Sequence, residues 1–157
     1  MDPGRAAAYR GGVIRCPWCG DLMRAEPTRT SEPQVCDGCD GLWIDWFEGE
    51  VSAIAVEKEA ARVQRGTPLP SRPSRPPAGT GACPHCARAL VAELYRFADA
   101  KDDELITGVE LLRCPECAGA FVPRGSAHLL LERSREAKTQ TPMEAIRALV
   151  RQTFGRR

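Results

Sequence analysis

The chain has no long apolar run. Its longest strongly apolar stretch is Leu129-Leu130-Leu131, and residues 1–10 hold no apolar segment of signal-peptide length. A membrane-spanning helix needs about 20 such residues, so a membrane role is excluded and a soluble, cytoplasmic protein is expected. A surplus of either charge is missing too: 22 Lys and Arg face 21 Asp and Glu, for a formal charge of +1. The chain therefore lacks the basic excess that drives non-specific nucleic-acid binding. Aromatic residues are scarce at 6% of 157 residues, and with 43% hydrophobic content this is modest for a self-sufficient core. Something besides apolar burial has to hold the fold.

Cysteine is what the chain has instead. Its eight cysteines form four CxxC pairs with none left over: Cys16 and Cys19, Cys36 and Cys39, Cys83 and Cys86, Cys114 and Cys117. Cytosolic thiols are kept reduced, so this pattern reads as metal ligands before disulfides. A CxxC turn supplies two thiolates from one tight knuckle, and two knuckles close tetrahedrally around Zn2+, whose filled d shell imposes no other geometry. The spacings are C-x2-C-x16-C-x2-C in the first half and C-x2-C-x27-C-x2-C in the second, which gives an expectation of two zinc ions per chain. A mononuclear iron centre suits the same donors. Eight thiolates and two divalent ions would move the formal charge to about −3.

The cysteines also divide the chain. Residues 66–81 are rich in Pro and Gly and read as an extended linker. Residues 12–65 and 82–138 then repeat one plan of knuckle, hairpin, knuckle and helix, and residues 139–157 form an amphipathic helix with a basic tail. The expected fold is a small metal-stabilised α+β protein of two tandem zinc ribbons plus this C-terminal helix, with the two ribbons separable. In the second half, residues 89–97 and 105–113 flank a polar turn at residues 99–104, as a hairpin requires. In the first, Asp45 and Glu48 are spaced as a capping box for a helix running to Arg62. The last helix opens on Thr141, Pro142 and Glu144 and aligns Met143, Ile146, Leu149, Val150 and Phe154 in one stripe.

Beyond the ligands, the motif Cys16-Pro17-Trp18-Cys19-Gly20, with Cys36, Cys39, Gly41, Trp43, Ile44, Asp45 and Glu48, resembles the bacterial transcription-factor-IIB-type zinc ribbons. That repeat reads Cys-Pro-x-Cys, hairpin, Cys-Pro-x-Cys-Gly-Gly-x-Trp-Leu-Asp-x-x-Glu. Asp37 and Asp40 depart from it. The second half is a degenerate copy that keeps Cys83, Pro84, Cys86, Cys114, Pro115, Cys117 and Gly119 but has Phe121, Val122, Pro123 and Ser126 at the later positions. The resemblance covers residues 14–52 and 81–130, and implies kinship in fold with a ribbon that contacts transcription machinery.

Four cysteine ligands per ion leave no open position for water, so a non-enzymatic binding module is expected, regulatory and with another protein as partner. Two alternatives stand beside it. A nucleic-acid interface would use the basic C-terminal third, through Arg124, Arg133, Arg135, Lys138, Arg147 and Arg151. A metal-handling or thiol-redox protein would use labile thiolates, and Cys83-Pro84-His85-Cys86 has the form of an oxidising thioredoxin-like site, though a linker precedes it and a hairpin follows. His85 and His128 read as bystanders, and Asp45 and Glu48 as caps before an acid/base pair. Trp43 and Phe121 are expected in the core; Trp18 and Trp46 are the candidates for exposed contacts. The second metal site is expected to be the weaker. The residue after a knuckle often turns left-handed, and Ala87 and Ala118 bear a Cβ there.

Overall fold

A computed structural model describes residues 13–69, 81–95 and 109–139. Residues 1–12, 70–80, 96–108 and 140–157 lie outside it, and with them most of the linker, the polar turn at residues 99–104 and the C-terminal stripe. The described chain is α+β: seven antiparallel strands and two helices. The strands are β1 (Ile14–Arg15), β2 (Leu22–Ala25), β3 (Gln34–Cys36), β4 (Leu42–Ile44), β5 (Val91–Tyr95), β6 (Val109–Arg113) and β7 (Ala120–Val122). The helices are α1 (Val51–Gln64) and α2 (Arg124–Thr139).

All seven strands belong to one sheet, in the order β1-β2-β3-β4-β7-β6-β5. The expectation of two separable ribbons is overturned here, because β4 of the first half pairs directly with β7 of the second. Its register is Leu42 opposite Val122, Trp43 opposite Phe121 and Ile44 opposite Ala120. Trp43 and Phe121 occupy equivalent places in the two repeats, so this register places an approximate two-fold axis between them. The halves meet as an isologous dimer does, each offering the same strand to the other. Unpaired strand edges expose amide and carbonyl groups, and the pairing of β4 with β7 removes two of them. The linker composition carried no sign of this, since the grip is made by strands.

Alternation along these strands sorts the side chains onto two faces. Leu42, Ile44, Leu111 and Val122 point to one face, where Ile54 and Ala55 of α1 and Ala127 and Leu130 of α2 cover them. Trp43, Leu112 and Phe121 point to the other, among the cysteines. Trp43 and Phe121 are both fully buried, as expected of them.

Helix α1 starts five residues later than the Asp45/Glu48 pattern suggests. Its N-cap is Glu50, whose carboxylate accepts from the Ser52 N–H at 3.1 Å and the Ala53 N–H at 2.8 Å. Asp45 to Glu48 make a separate turn, in which Glu48 N–H donates to the Asp45 carbonyl and the Glu48 carboxylate accepts from Asp45 N–H at 3.2 Å. Only one bond of a capping box is made, from Asp45 N–H to the Glu48 carboxylate; the Glu48 N–H goes to the Asp45 backbone carbonyl and closes a turn, while the Asp45 carboxylate is engaged by Trp43 and His85. Burial raises the Glu48 carboxyl to about 7, against the pull of the Asp45 N–H. At its other end α1 stops in a Schellman motif: Gly66, at φ +70°, donates to the Val63 carbonyl and Thr67 to that of Arg62.

Helices α1 and α2 pack against each other and bury charge between them. Arg124 is only 2% exposed. Its Nε donates to Glu59 at 3.2 Å, its Nη1 to Asp40 at 2.9 Å and to the Pro68 carbonyl at 2.6 Å, and its Nη2 to the Thr67 carbonyl at 2.8 Å. Glu59 is fully buried and also meets His128 Nδ1 at 3.2 Å and Arg62 at 3.7 Å. Arg124, expected on a basic C-terminal face, is spent inside the molecule, tying both halves and the start of the linker together. His128 is likewise more than a bystander. Arg133 and Arg135 stay exposed but lie 3.4 Å and 3.8 Å from Glu136 and Glu132, and the side chain of Lys138, with Arg147 and Arg151, lies outside the described residues.

Removing one partner of a buried ion pair strands the other. Arg124→Ala is therefore expected to destabilise the metal-loaded protein by about 3–5 kcal/mol. Denaturant unfolding followed by tryptophan fluorescence measures this, and Arg133→Ala, at the surface, is expected to change stability by under about 0.5 kcal/mol.

Candidate metal centres

Each CxxC pair closes the same turn. The residue after the second cysteine donates to the first cysteine's carbonyl: Gly20 to Cys16 at 2.9 Å, Asp40 to Cys36 at 3.1 Å, Ala87 to Cys83 at 3.0 Å and Ala118 to Cys114 at 3.0 Å. The first cysteine's N–H in turn reaches the carbonyl of Asp21, Gly41, Arg88 or Gly119. To close this way the residue after each pair must turn left-handed. Gly20, Asp40, Ala87 and Ala118 do so, at φ +83°, +58°, +57° and +59°. Only glycine takes that conformation without strain.

The turns bring the thiols together in two groups: Cys16, Cys19, Cys36 and Cys39, and Cys83, Cys86, Cys114 and Cys117. Within each group the sulfurs lie within 4.8 Å of one another. In the first, Cys16 is 3.7 Å from Cys39 and Cys19 is 3.3 Å from Cys36. In the second, Cys83 is 3.6 Å from Cys117 and Cys86 is 3.4 Å from Cys114. None of the eight is in a disulfide. Metal–sulfur bonds of about 2.3 Å span a tetrahedron with edges of about 3.8 Å, so both groups fit one metal ion each.

Electrostatics points the same way. Backbone N–H groups of Trp18, Gly38 and His85 lie 3.4 Å from the sulfurs of Cys16, Cys36 and Cys83, and Cys39 and Cys117 donate at 3.5 Å to Cys36 and Cys114. These donors favour thiolates. Without a cation, the thiols of one group oppose each other's ionisation. A hydrogen bond with Cys39 brings Cys16 down to about 5, while burial pushes Cys36 up to about 12 and the bond to Cys16 pushes Cys39 up. In the second group burial raises Cys83 and Cys117; it opposes the ionisation of Cys114 too, yet the Cys117 and Glu116 N–H groups hold that thiol at about 7. Full ionisation of either group requires a bound cation to offset the mutual repulsion.

Around these groups the halves exchange contacts that the sequence pattern did not indicate. Trp18, between Cys16 and Cys19, stacks on Phe121 of the second half at 6.0 Å and 20°. His85, between Cys83 and Cys86, meets Trp43 of the first half edge-on at 5.6 Å. The same ring sits with Nε2 2.9 Å from Asp45 Oδ1, the oxygen that accepts from Trp43 Nε1 at 3.0 Å. Asp45 thus joins Trp43 to the opposite CxxC turn, and His85 is not the bystander expected of it. Trp18 is half-buried, so of the exposed-contact candidates Trp46 remains, 52% exposed and edge-on to Phe47, itself 53% exposed. The signal for these cross-contacts was the shared position of Trp18 and His85 within their CxxC turns, which has meaning only once the halves are known to face each other.

Compared with known proteins, the chain matches no family model, and no curated protein or solved structure matches it. Among the described residues no helix is long and apolar enough to cross a membrane.

Both left-handed alanines fall in the second group, whereas the first has Gly20 and Asp40, and aspartate visits that conformation more readily than alanine. A Cβ at positive φ costs roughly 1 kcal/mol or more, and Ala87 and Ala118 are both exposed, with room to relax. Ala87→Gly and Ala118→Gly are each expected to stabilise the metal-loaded protein by about 1 kcal/mol. Thermal unfolding in metal-containing buffer measures this; a lower melting temperature in both variants contradicts it.

Proposed function

We propose that this protein is a non-enzymatic module of two fused zinc ribbons, each closed by four cysteines, that binds another protein. The observation that carries this reading is the pair of complete four-thiol donor sets. A catalytic zinc keeps a position for water or substrate, whereas four thiolates fill the tetrahedron and leave the ion to organise the chain. Zinc suits the donors best: it takes thiolate sulfur in tetrahedral geometry and needs no redox partner, and modules with so little core gain an apparent 10–16 kcal/mol from such a site. The resemblance of residues 14–52 to transcription-factor-IIB-type ribbons supports a place near transcription machinery.

A protein partner is favoured by what the surface offers. Trp46 and Phe47 form an exposed aromatic pair on the turn after β4, and Phe47 lines a concave face with Val13 and Leu22, both exposed as well. Exposed apolar groups clustered around a concavity are what protein interfaces use. Nucleic acid is disfavoured by the loss of Arg124 to the interior and by a metal-loaded formal charge near −3.

Elemental analysis of the purified protein is expected to give two zinc ions per chain with iron absent, and one ion or an iron spectrum would refute the donor assignment. Photocrosslinkers at positions 46 and 47 are expected to capture a protein in source cells that a crosslinker at Arg133 does not. Equal labelling from both places would leave no ground for assigning the contact to the aromatic pair.

A further inference from the structure

We propose that the two metal sites form one cooperative unit, in which loss of the ion from either site releases the other. This rests on the two-zinc reading above and concerns how the sites communicate. Each CxxC turn that comes first in its half carries, between its two ligands, the ring that packs on the other half: Trp18 on Phe121, and His85 on Trp43 and Asp45. The second turns are engaged too. A Cβ on Gly41 would come within 2.2 Å of Phe121 Cζ, and one on Gly119 within 2.4 Å of the Trp43 ring, so each of these turns is fitted against the opposite half's aromatic. Gly81, two residues before Cys83, lies so close that a Cβ there would meet the Pro17 carbonyl oxygen at 1.7 Å.

These contacts are made by the ligand-bearing turns themselves. When an ion leaves, its four sulfurs repel or protonate, the turns lose their fixed geometry, and the rings they hold on the other half go with them. Trp43 and Phe121 then lose a packing face at the strand pair that joins the halves. Because the contacts are reciprocal, coupling is the same in both directions, as linkage demands. The left-handed alanines place the weaker site in the second half, so departure of that ion sets the pace for both.

The test uses the full-length, zinc-loaded chain under a competing chelator, with alkylation of each cysteine followed by mass spectrometry. In the parent protein all eight cysteines are expected to become modified at one common rate. The double variant Ala87→Gly/Ala118→Gly alters only the second site and relieves strain, so misfolding does not confound it. It is expected to slow modification of Cys16, Cys19, Cys36 and Cys39 by about fivefold or more, together with the other four. Unchanged rates at the first four cysteines overturn the proposal, whatever happens at the second four. A second measurement removes the second site outright: Cys83→Ser/Cys117→Ser is expected to weaken zinc binding at the first site at least tenfold, and unchanged affinity there also overturns it. Zinc content separates the two levels. Two ions per parent chain with independent release refutes the coupling alone, while fewer than two refutes the reading it rests on.

Discussion

The pairing of β4 with β7 is the contact on which the rest of the molecule depends. Each half by itself is a short sheet, of four strands in the first half and three in the second, with one helix and one thiol group, too small to bury much. Joined edge to edge, they share a sheet whose helix side is closed by α1 and α2 together and whose other side sets Trp43 and Phe121 between the two thiol groups. The three-residue length of β4 and β7 gives few ladder bonds. What holds the seam is the apolar surface it brings together on both faces, with Leu42, Trp43, Ile44, Phe121 and Val122 all fully buried.

The buried charges follow from the same seam. Once α1 lies against α2, Glu59 and Arg124 have no water to turn to and must satisfy each other. They do so with Asp40, Thr67, Pro68 and His128 as further partners. Such a network adds little net stability compared with apolar packing of the same volume, but removing one member strands the charge of the other. Asp40 has two duties: it takes the left-handed conformation that closes its CxxC turn, and it receives Arg124. Its counterpart in the second half is Ala118, which can do only the first, and at a cost.

The thiol groups and the seam are chemically different devices serving one end. In the proposed two-metal form each ion would organise four side chains through bonds that require ionised sulfur, so the state of the fold would depend on metal supply and on protons competing for the thiolates. Trp18 and His85 join each thiol group to the other half across this seam. The exposed Trp46 and Phe47 sit one and two residues past Asp45, in the turn joined to that same contact.

Much of the site was legible in the residues alone. CxxC spacing named all eight cysteines that gather in the two thiol groups because a knuckle is a local structure: two donors three residues apart are brought together by one turn, and the left-handed residue that follows is a local steric demand. Trp43 and Phe121 were legible as core for a similar reason, by their common position in the repeat. What local pattern did not contain was the face that each half turns to the other. The start of α1 was misplaced because the spacing of Asp45 and Glu48 suits a capping box as well as a closed turn, and in the structure the Asp45 carboxylate is taken by Trp43 and His85 while Glu50 caps the helix. Arg124 read as surface because an arginine after a strand is ordinarily solvated, and only burial by a second helix from the other half made it internal. The sequence by itself determined the cysteine pairs, the turns and the repeat, which depend on neighbours along the chain. The tertiary structure alone decided that the two halves form one sheet, because strand pairing across 78 residues depends on complementary surfaces that no short segment reveals.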